Sequence, residues 1–160
     1  MRAFNPPVEP DSADAAEDAA LRILRGAGQS AATLQRKLER RGYMAEAAGE
    51  AVRRCAASGY VDDAAMAASV AGRHRRAGHG RGRVAADLRA RGVAAELITE
   101  ALDGQDGTEE AAALAVAQQL WERAGTSGSH DRRARMRVAG ALQRRGFSAS
   151  LVARVLRGLT

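Results

Sequence analysis

A segment repeated three times limits what this chain can fold into more than any other feature of its sequence. Each copy is anchored on a glycine, Gly42, Gly92 or Gly146, with spacings of 50 and then 54 residues. Four residues before the anchors stand Leu38, Leu88 and Leu142, and eight before stand Leu34, Val84 and Val138. One face of a helix is thus apolar in every copy. After the glycine comes a large apolar residue, Tyr43, Val93 or Phe147. Apolar residues then return five, six, nine and ten positions on: Ala47, Ala48, Ala51 and Val52; Leu97, Ile98, Ala101 and Leu102; Leu151, Val152, Val155 and Leu156. The pattern predicts helix, glycine stop, helix. Gly42, Gly92 and Gly146 are structural in this reading, because a helix commonly ends on a left-handed residue where a Cβ is penalised. Ser148 adds an N-cap signal that is less clear in the other two copies.

A further helix is expected before each pair, over Ala15 to Leu24 or Arg25, Asp62 to Arg76, and Glu109 to Arg123. The chain then divides into a flexible tail at residues 1–14 and three-helix modules at 15–58, 59–104 and 105–160, with linkers at 103–108 and 124–131. The expected fold class is all-α, three tandem three-helix repeats forming an elongated, curved array. Only 3% of the 160 residues are aromatic, which speaks against a sheet core.

Candidate catalytic and metal-binding residues are scarce. His74, His79 and His130 have no Cys, Glu or second His at a spacing that turns them toward one ion, so no metal and no cofactor is expected. The single cysteine, Cys55, lies on an apolar helical face beside Val52 and is expected to be an inert buried thiol. No apolar run approaches the roughly 18 residues of a membrane span, and a cytosolic, non-enzymatic protein is the expectation. Asp62 and Asp63 stand before an apolar-periodic run, and capping of that helix, with Asp62 as the structural residue, is preferred to acid-base chemistry. The string Gly78-His79-Gly80-Arg81-Gly82 lacks the strand and the Gly-Lys-Ser/Thr of a nucleotide loop and is read as a flexible basic turn.

Charge is more informative. Lysine and arginine number 25 against 19 acids, for a net charge of +6. Arg73, Arg75, Arg76, Arg81, Arg83, Arg89 and Arg91 cluster around Asp87 alone. A second cluster, including Arg132, Arg133, Arg135, Arg137, Arg144 and Arg145, fills the last 30 residues, whereas the first 24 residues are acidic by comparison. Unopposed like charges repel, so contact with a polyanion is the preferred explanation of the two clusters. For Arg41, Arg91 and Arg145, beside the anchor glycines, complementing the helix dipole is an equal alternative.

Leu38-x-x-Arg41-Gly42-Tyr43, Gly59-Tyr60-Val61-Asp62-Asp63, Leu88-x-x-Arg91-Gly92-Val93 and Arg144-Arg145-Gly146-Phe147, in this order and spacing, resemble the RecX family of bacterial regulators, over Ala19 to Leu156. The resemblance implies a non-enzymatic modulator that binds the RecA nucleoprotein filament along its groove and depresses ATP hydrolysis and strand exchange. The contact residues expected are Arg73, Arg75, Arg76, Arg81, Arg83, Arg132, Arg133, Arg135, Arg137, Arg144 and Arg145, with weak, sequence-indifferent DNA binding by a monomer. Two other readings stay open on the residues alone. One is a free-standing DNA-binding protein with a helix in the major groove, the other a helical adaptor for an acidic protein.

Overall fold

The computed structural model describes residues 6–103, 108–123 and 132–159. Among the described residues there are nine α-helices and no strand: α1 (Ala13–Gly26), α2 (Ala31–Glu39), α3 (Ala45–Ala57), α4 (Asp63–Arg76), α5 (Arg81–Ala90), α6 (Ala95–Asp103), α7 (Thr108–Arg123), α8 (Arg132–Arg144) and α9 (Ala149–Arg157). The all-α array of helix triplets holds. Residues 104–107 and 124–131 of the expected linkers, with His130, lie outside the described residues.

The first helix starts two residues earlier than its apolar pattern suggests. Ser12 accepts the Ala15 N–H at 3.2 Å, and Asp14 places a negative charge in the first turn, where the helix dipole favours it. Just upstream, within the segment expected to be a flexible tail, the Pro10 carbonyl accepts the Met44 N–H at 2.7 Å and ties the chain to the start of α3.

By internal contacts the chain falls into two compact units, Met1–Met66 with Ala90–Ala94, and Ala67–Arg89 with Ala95–Thr160. The turn 90–94 joins the first unit because it docks on α2 through the contacts described below. In the first unit, Ala16, Ala19, Ala20, Ala48 and Ala51 pack with Leu34, Leu38, Val52, Cys55 and Val61. So much alanine lets helix backbones come close, and Tyr43 closes the core by donating its hydroxyl to the Ala15 carbonyl at 3.1 Å. The second unit contains a larger-residue core of Val138, Leu142, Phe147, Leu151, Val152, Val155 and Leu159 against Ala113 and Ala117 of α7.

All six of the repeat's upstream apolar positions, Leu34, Leu38, Val84, Leu88, Val138 and Leu142, are at most 2% exposed. Burying each contributes roughly 1.5–3 kcal/mol. The anchor glycines end their helices as expected, at φ +96° for Gly42, +72° for Gly92 and +89° for Gly146. At Gly146 the Phe147 N–H returns to the Leu142 carbonyl at 3.2 Å, which turns the phenyl ring into the core. Ser148 then caps α9 by accepting the Leu151 N–H at 3.3 Å, whereas Met44, its counterpart before α3, makes no side-chain cap.

Candidate functional site

The arginine-glycine turns do more than stop helices. In the second unit the Arg145 and Gly146 carbonyls, at the negative end of α8, meet the start of α5. The Gly80 N–H donates to Arg145 at 2.8 Å and the Gly82 N–H to Gly146 at 3.0 Å. Each satisfies an otherwise orphaned helix terminus with its opposite. The approach leaves no room for side chains: a Cβ on Gly80 would lie 2.6 Å from the Gly146 backbone, and one on Gly146 would lie 2.4 Å from the Arg83 nitrogen. The string read as a flexible basic turn is therefore a fixed seat. Its second half is the first turn of α5.

The first unit repeats the joint with other chemistry. The Arg91 carbonyl, past the end of α5, accepts from the hydroxyls of Ser30 and Thr33 at the start of α2, the latter at 3.0 Å. Ser30 also caps α2, accepting the Thr33 N–H at 3.2 Å, and is 2% exposed. A Cβ on Gly92 would come within 2.7 Å of the Ala32 Cβ. The acid pair contributes here as well. Asp62 caps α4 through the Ala65 N–H at 2.8 Å, as expected, while Asp63 reaches across to accept the Ala31 N–H at 2.9 Å. One acid caps its own helix and the other caps α2.

Beside the second unit's joint, next to Gly80, lies a histidine pair. His74 Nδ1 is 2.8 Å from His79 Nδ1, and His74 Nε2 is 2.9 Å from Asp87 Oδ2, so three polar groups from α4, the turn and α5 form one line. Burial lowers the His79 pKa below its ordinary value, and the nearby Arg83, His74 and Arg145 lower it further. Cys55 is buried in the first core, which pushes its thiol pKa up, as befits an inert packing residue.

Several of the arginines singled out from sequence bind main-chain carbonyls. Arg81 donates to the Leu102 carbonyl at 3.0 Å and to Asp103 at 3.2 Å, holding the end of α6. Arg135 donates to the Leu156 and Leu159 carbonyls, both at 3.1 Å, and its guanidinium stands 5.8 Å from the Trp121 ring centre. Arg145 reaches the Ala77 carbonyl at 3.4 Å and Arg83 the Arg144 carbonyl at 3.3 Å. These four bind helix-terminal carbonyls. Arg73, Arg75 and Arg76 on α4, and Arg132, Arg133, Arg137 and Arg144 on α8, are exposed. Arg73 lies 3.8 Å from Asp87. Arg137 and Arg144, with Arg123, rim a groove of about 430 Å³ whose apolar lining includes Leu120, Val138, Ala141 and the exposed Met136.

Among the described residues no group of three His, Cys, Asp or Glu side chains is placed to hold a metal ion, and no helix is long and apolar enough to cross a membrane. What the geometry offers is a set of exposed cations carried on α4 and α8. The long-range seats at Ser30, Asp63, Gly80 and Gly82 escaped the sequence reading.

Comparison with known proteins places this arrangement. A family model described as the second three-helix domain of RecX matches residues 62–102, and one described as its third three-helix domain matches residues 108–156. A Trichlorobacter lovleyi protein named regulatory protein RecX is 36% identical over 137 residues, covering 84% of this chain and 88% of that one. The Streptomyces coelicolor protein of the same name is 37% identical over 150 residues, 92% of this chain and 78% of that one. The crystal structure of RecX from Lactobacillus salivarius superposes with a TM-score of 0.80 over 92% of this chain and 96% of that one, at 17% identity.

Proposed function

This chain belongs to the RecX family, and from that premise we propose that it is a cytoplasmic, non-catalytic regulator that binds the RecA nucleoprotein filament and lowers its ATPase and recombinase activities. The family match over both later triplets carries this reading. The modules at residues 15–58, 59–104 and 105–160 act as successive contact units of a monomer on the filament. Their exposed cations, Arg73, Arg75 and Arg76 on α4 and Arg132, Arg133, Arg137 and Arg144 on α8, meet bound DNA or acidic subunit surfaces. Arg81, Arg83, Arg135 and Arg145 also bond carbonyls at helix ends and so help keep the helices in place.

Inhibition follows from occupancy. A body lying on assembled subunits opposes the changes they undergo during turnover, and its own affinity for DNA stays weak, indifferent to sequence and steeply dependent on salt. Titrating the protein into RecA on single-stranded DNA should depress ATP hydrolysis as stoichiometry is approached; a flat titration overturns the proposal. Arg132, Arg133 and Arg137 changed together to Gln should weaken that inhibition with helicity intact. Arg135 is spared because its loss would release the end of α9.

A further inference from the structure

The two basic clusters conspicuous in the sequence leave out a third set of cations that only the fold assembles. Arg36 and Lys37 on α2 are followed at helical spacing by Arg40 at its C-cap, with Arg41 just beyond. Two clefts border this row, both within the first unit. Arg22 and Ile23 of α1 with Lys37, Arg40 and Arg41 line one of about 500 Å³. Thr33, Arg36, Lys37 and Arg40 with Ala90 and Arg91 line the other, of about 570 Å³. Lys37 and Arg40 belong to both.

The acids nearby are engaged elsewhere: Glu39, within the row itself, accepts from the Gln35 amide at 2.9 Å. Asp14 and Glu17 of α1 bond to Arg54 of α3, at 2.7 and 3.3 Å, and Glu50 joins them at 3.0 Å. Among the described residues Arg22, Arg36, Lys37, Arg40 and Arg41 form no ion pair. Lys37 is oriented by donating to the Gln29 amide oxygen at 2.8 Å, and Arg36 by Thr33 Oγ1 at 3.2 Å and the Ala32 carbonyl at 3.3 Å. These groups are donors and positive charges, held partly in place and open to water.

We propose that this face of α1 and α2 is a binding site for two successive phosphate groups of a nucleic-acid strand, one in each cleft, with Lys37 and Arg40 between them. Planar guanidiniums suit phosphate oxygens bidentately, and the ammonium of Lys37 is a compact point charge between neighbouring anions. No aromatic side chain lines either cleft to stack on a base, so the site reads backbone and not sequence. The inference rests on the filament reading for its biological setting and adds to it: the first module, acidic in its opening residues, also grips DNA.

The test is fluorescence anisotropy with labelled oligo-dT across a salt series, for the full chain and for Arg22→Gln/Lys37→Gln/Arg40→Gln/Arg41→Gln. Two lost phosphate contacts should flatten the slope of log K against log salt by about 1.4 and weaken binding at low salt about tenfold. Arg22→Lys/Arg40→Lys/Arg41→Lys, which keeps the charges, should keep the slope, and circular dichroism should show unchanged helicity for both variants. A wild-type slope in the Gln variant overturns the site. So does a variant that loses RecA inhibition while its oligo-dT slope is intact, because the cations would then meet protein. Tripolyphosphate, used as a free competitor, should displace oligo-dT only weakly; tight binding of tripolyphosphate with none of oligo-dT assigns the clefts to a free polyphosphate and overturns the nucleic-acid assignment. Should wild type bind oligo-dT through this face yet leave RecA turnover untouched, the filament reading fails and the phosphate site stands.

Discussion

The two arginine-glycine joints perform one task with different chemistry. At Gly146 the turn meets α5 backbone to backbone, through the Gly80 and Gly82 N–H groups, and glycine is required on both sides because the chains approach so closely. At Gly92 the turn meets α2 through the hydroxyls of Ser30 and Thr33, and the steric limit is a single methyl group, that of Ala32. A backbone seat has no room to adjust. A side-chain seat can shift by a rotamer or a few tenths of an ångström, so equivalent lesions should cost more in the second unit than in the first.

Gly146→Ala should have the largest effect. Its Cβ would sit 2.4 Å from the Arg83 nitrogen with φ at +89°, and overpacking together with left-handed strain should destabilise the second unit by about 3 kcal/mol. Trp121, the only tryptophan, packs on that unit's core, and its fluorescence in urea reports the loss. Gly92→Ala should cost about 2 kcal/mol, seen in far-UV circular dichroism and amide exchange of the first unit with the Trp121 transition little moved. Adding Ala32→Gly should return about 1 kcal/mol relative to the sum of the two single changes, since it removes the clash and leaves the φ strain. An equal cost at both joints would erase the distinction between them.

Ser30→Ala removes a cap and one of two donors to the Arg91 carbonyl and should cost about 1 kcal/mol, because Thr33 still donates. The smallest effect is that of pH. His79 has its pKa lowered in the folded state, so the unfolded chain binds more protons once pH falls below about 6.5. Stability of the second unit should therefore decline as pH drops from about 6.5 through the folded value of His79. In His79→Asn that part of the slope disappears, which urea midpoints at stepped pH will show. No change in slope would detach the histidine pair from the joint.

Local periodicity made the helices legible. Leu34, Leu38 and their counterparts recur at helical spacing, and each anchor glycine follows a complete apolar face. Ser148 was readable as a cap for the same reason, since its partner lies three residues away. The joints were not readable. Gly80 and Arg145, or Ser30 and Arg91, lie more than 60 residues apart, and a glycine needed for close backbone approach looks the same in sequence as one in a loose turn. The charged surface was legible only in outline. Counting arginines finds Arg81 and Arg135 along with Arg75 and Arg132, yet the first two are spent on helix-terminal carbonyls, an outcome fixed by where α6 and α9 end. Conversely, the α2 row was diluted in the count by Asp14, Glu17 and Glu50, acids that the fold turns toward Arg54.

The most direct test of the joint is native-state amide exchange at Gly80 and Gly82. Both N–H groups should be protected to nearly the level of the second unit's core in the wild type, and protection should collapse in Gly146→Ala while the amides around Leu34 and Leu38 keep theirs. Rapid exchange at Gly80 and Gly82 in the wild type would contradict the account, since the turn after α8 would then not be seated on α5.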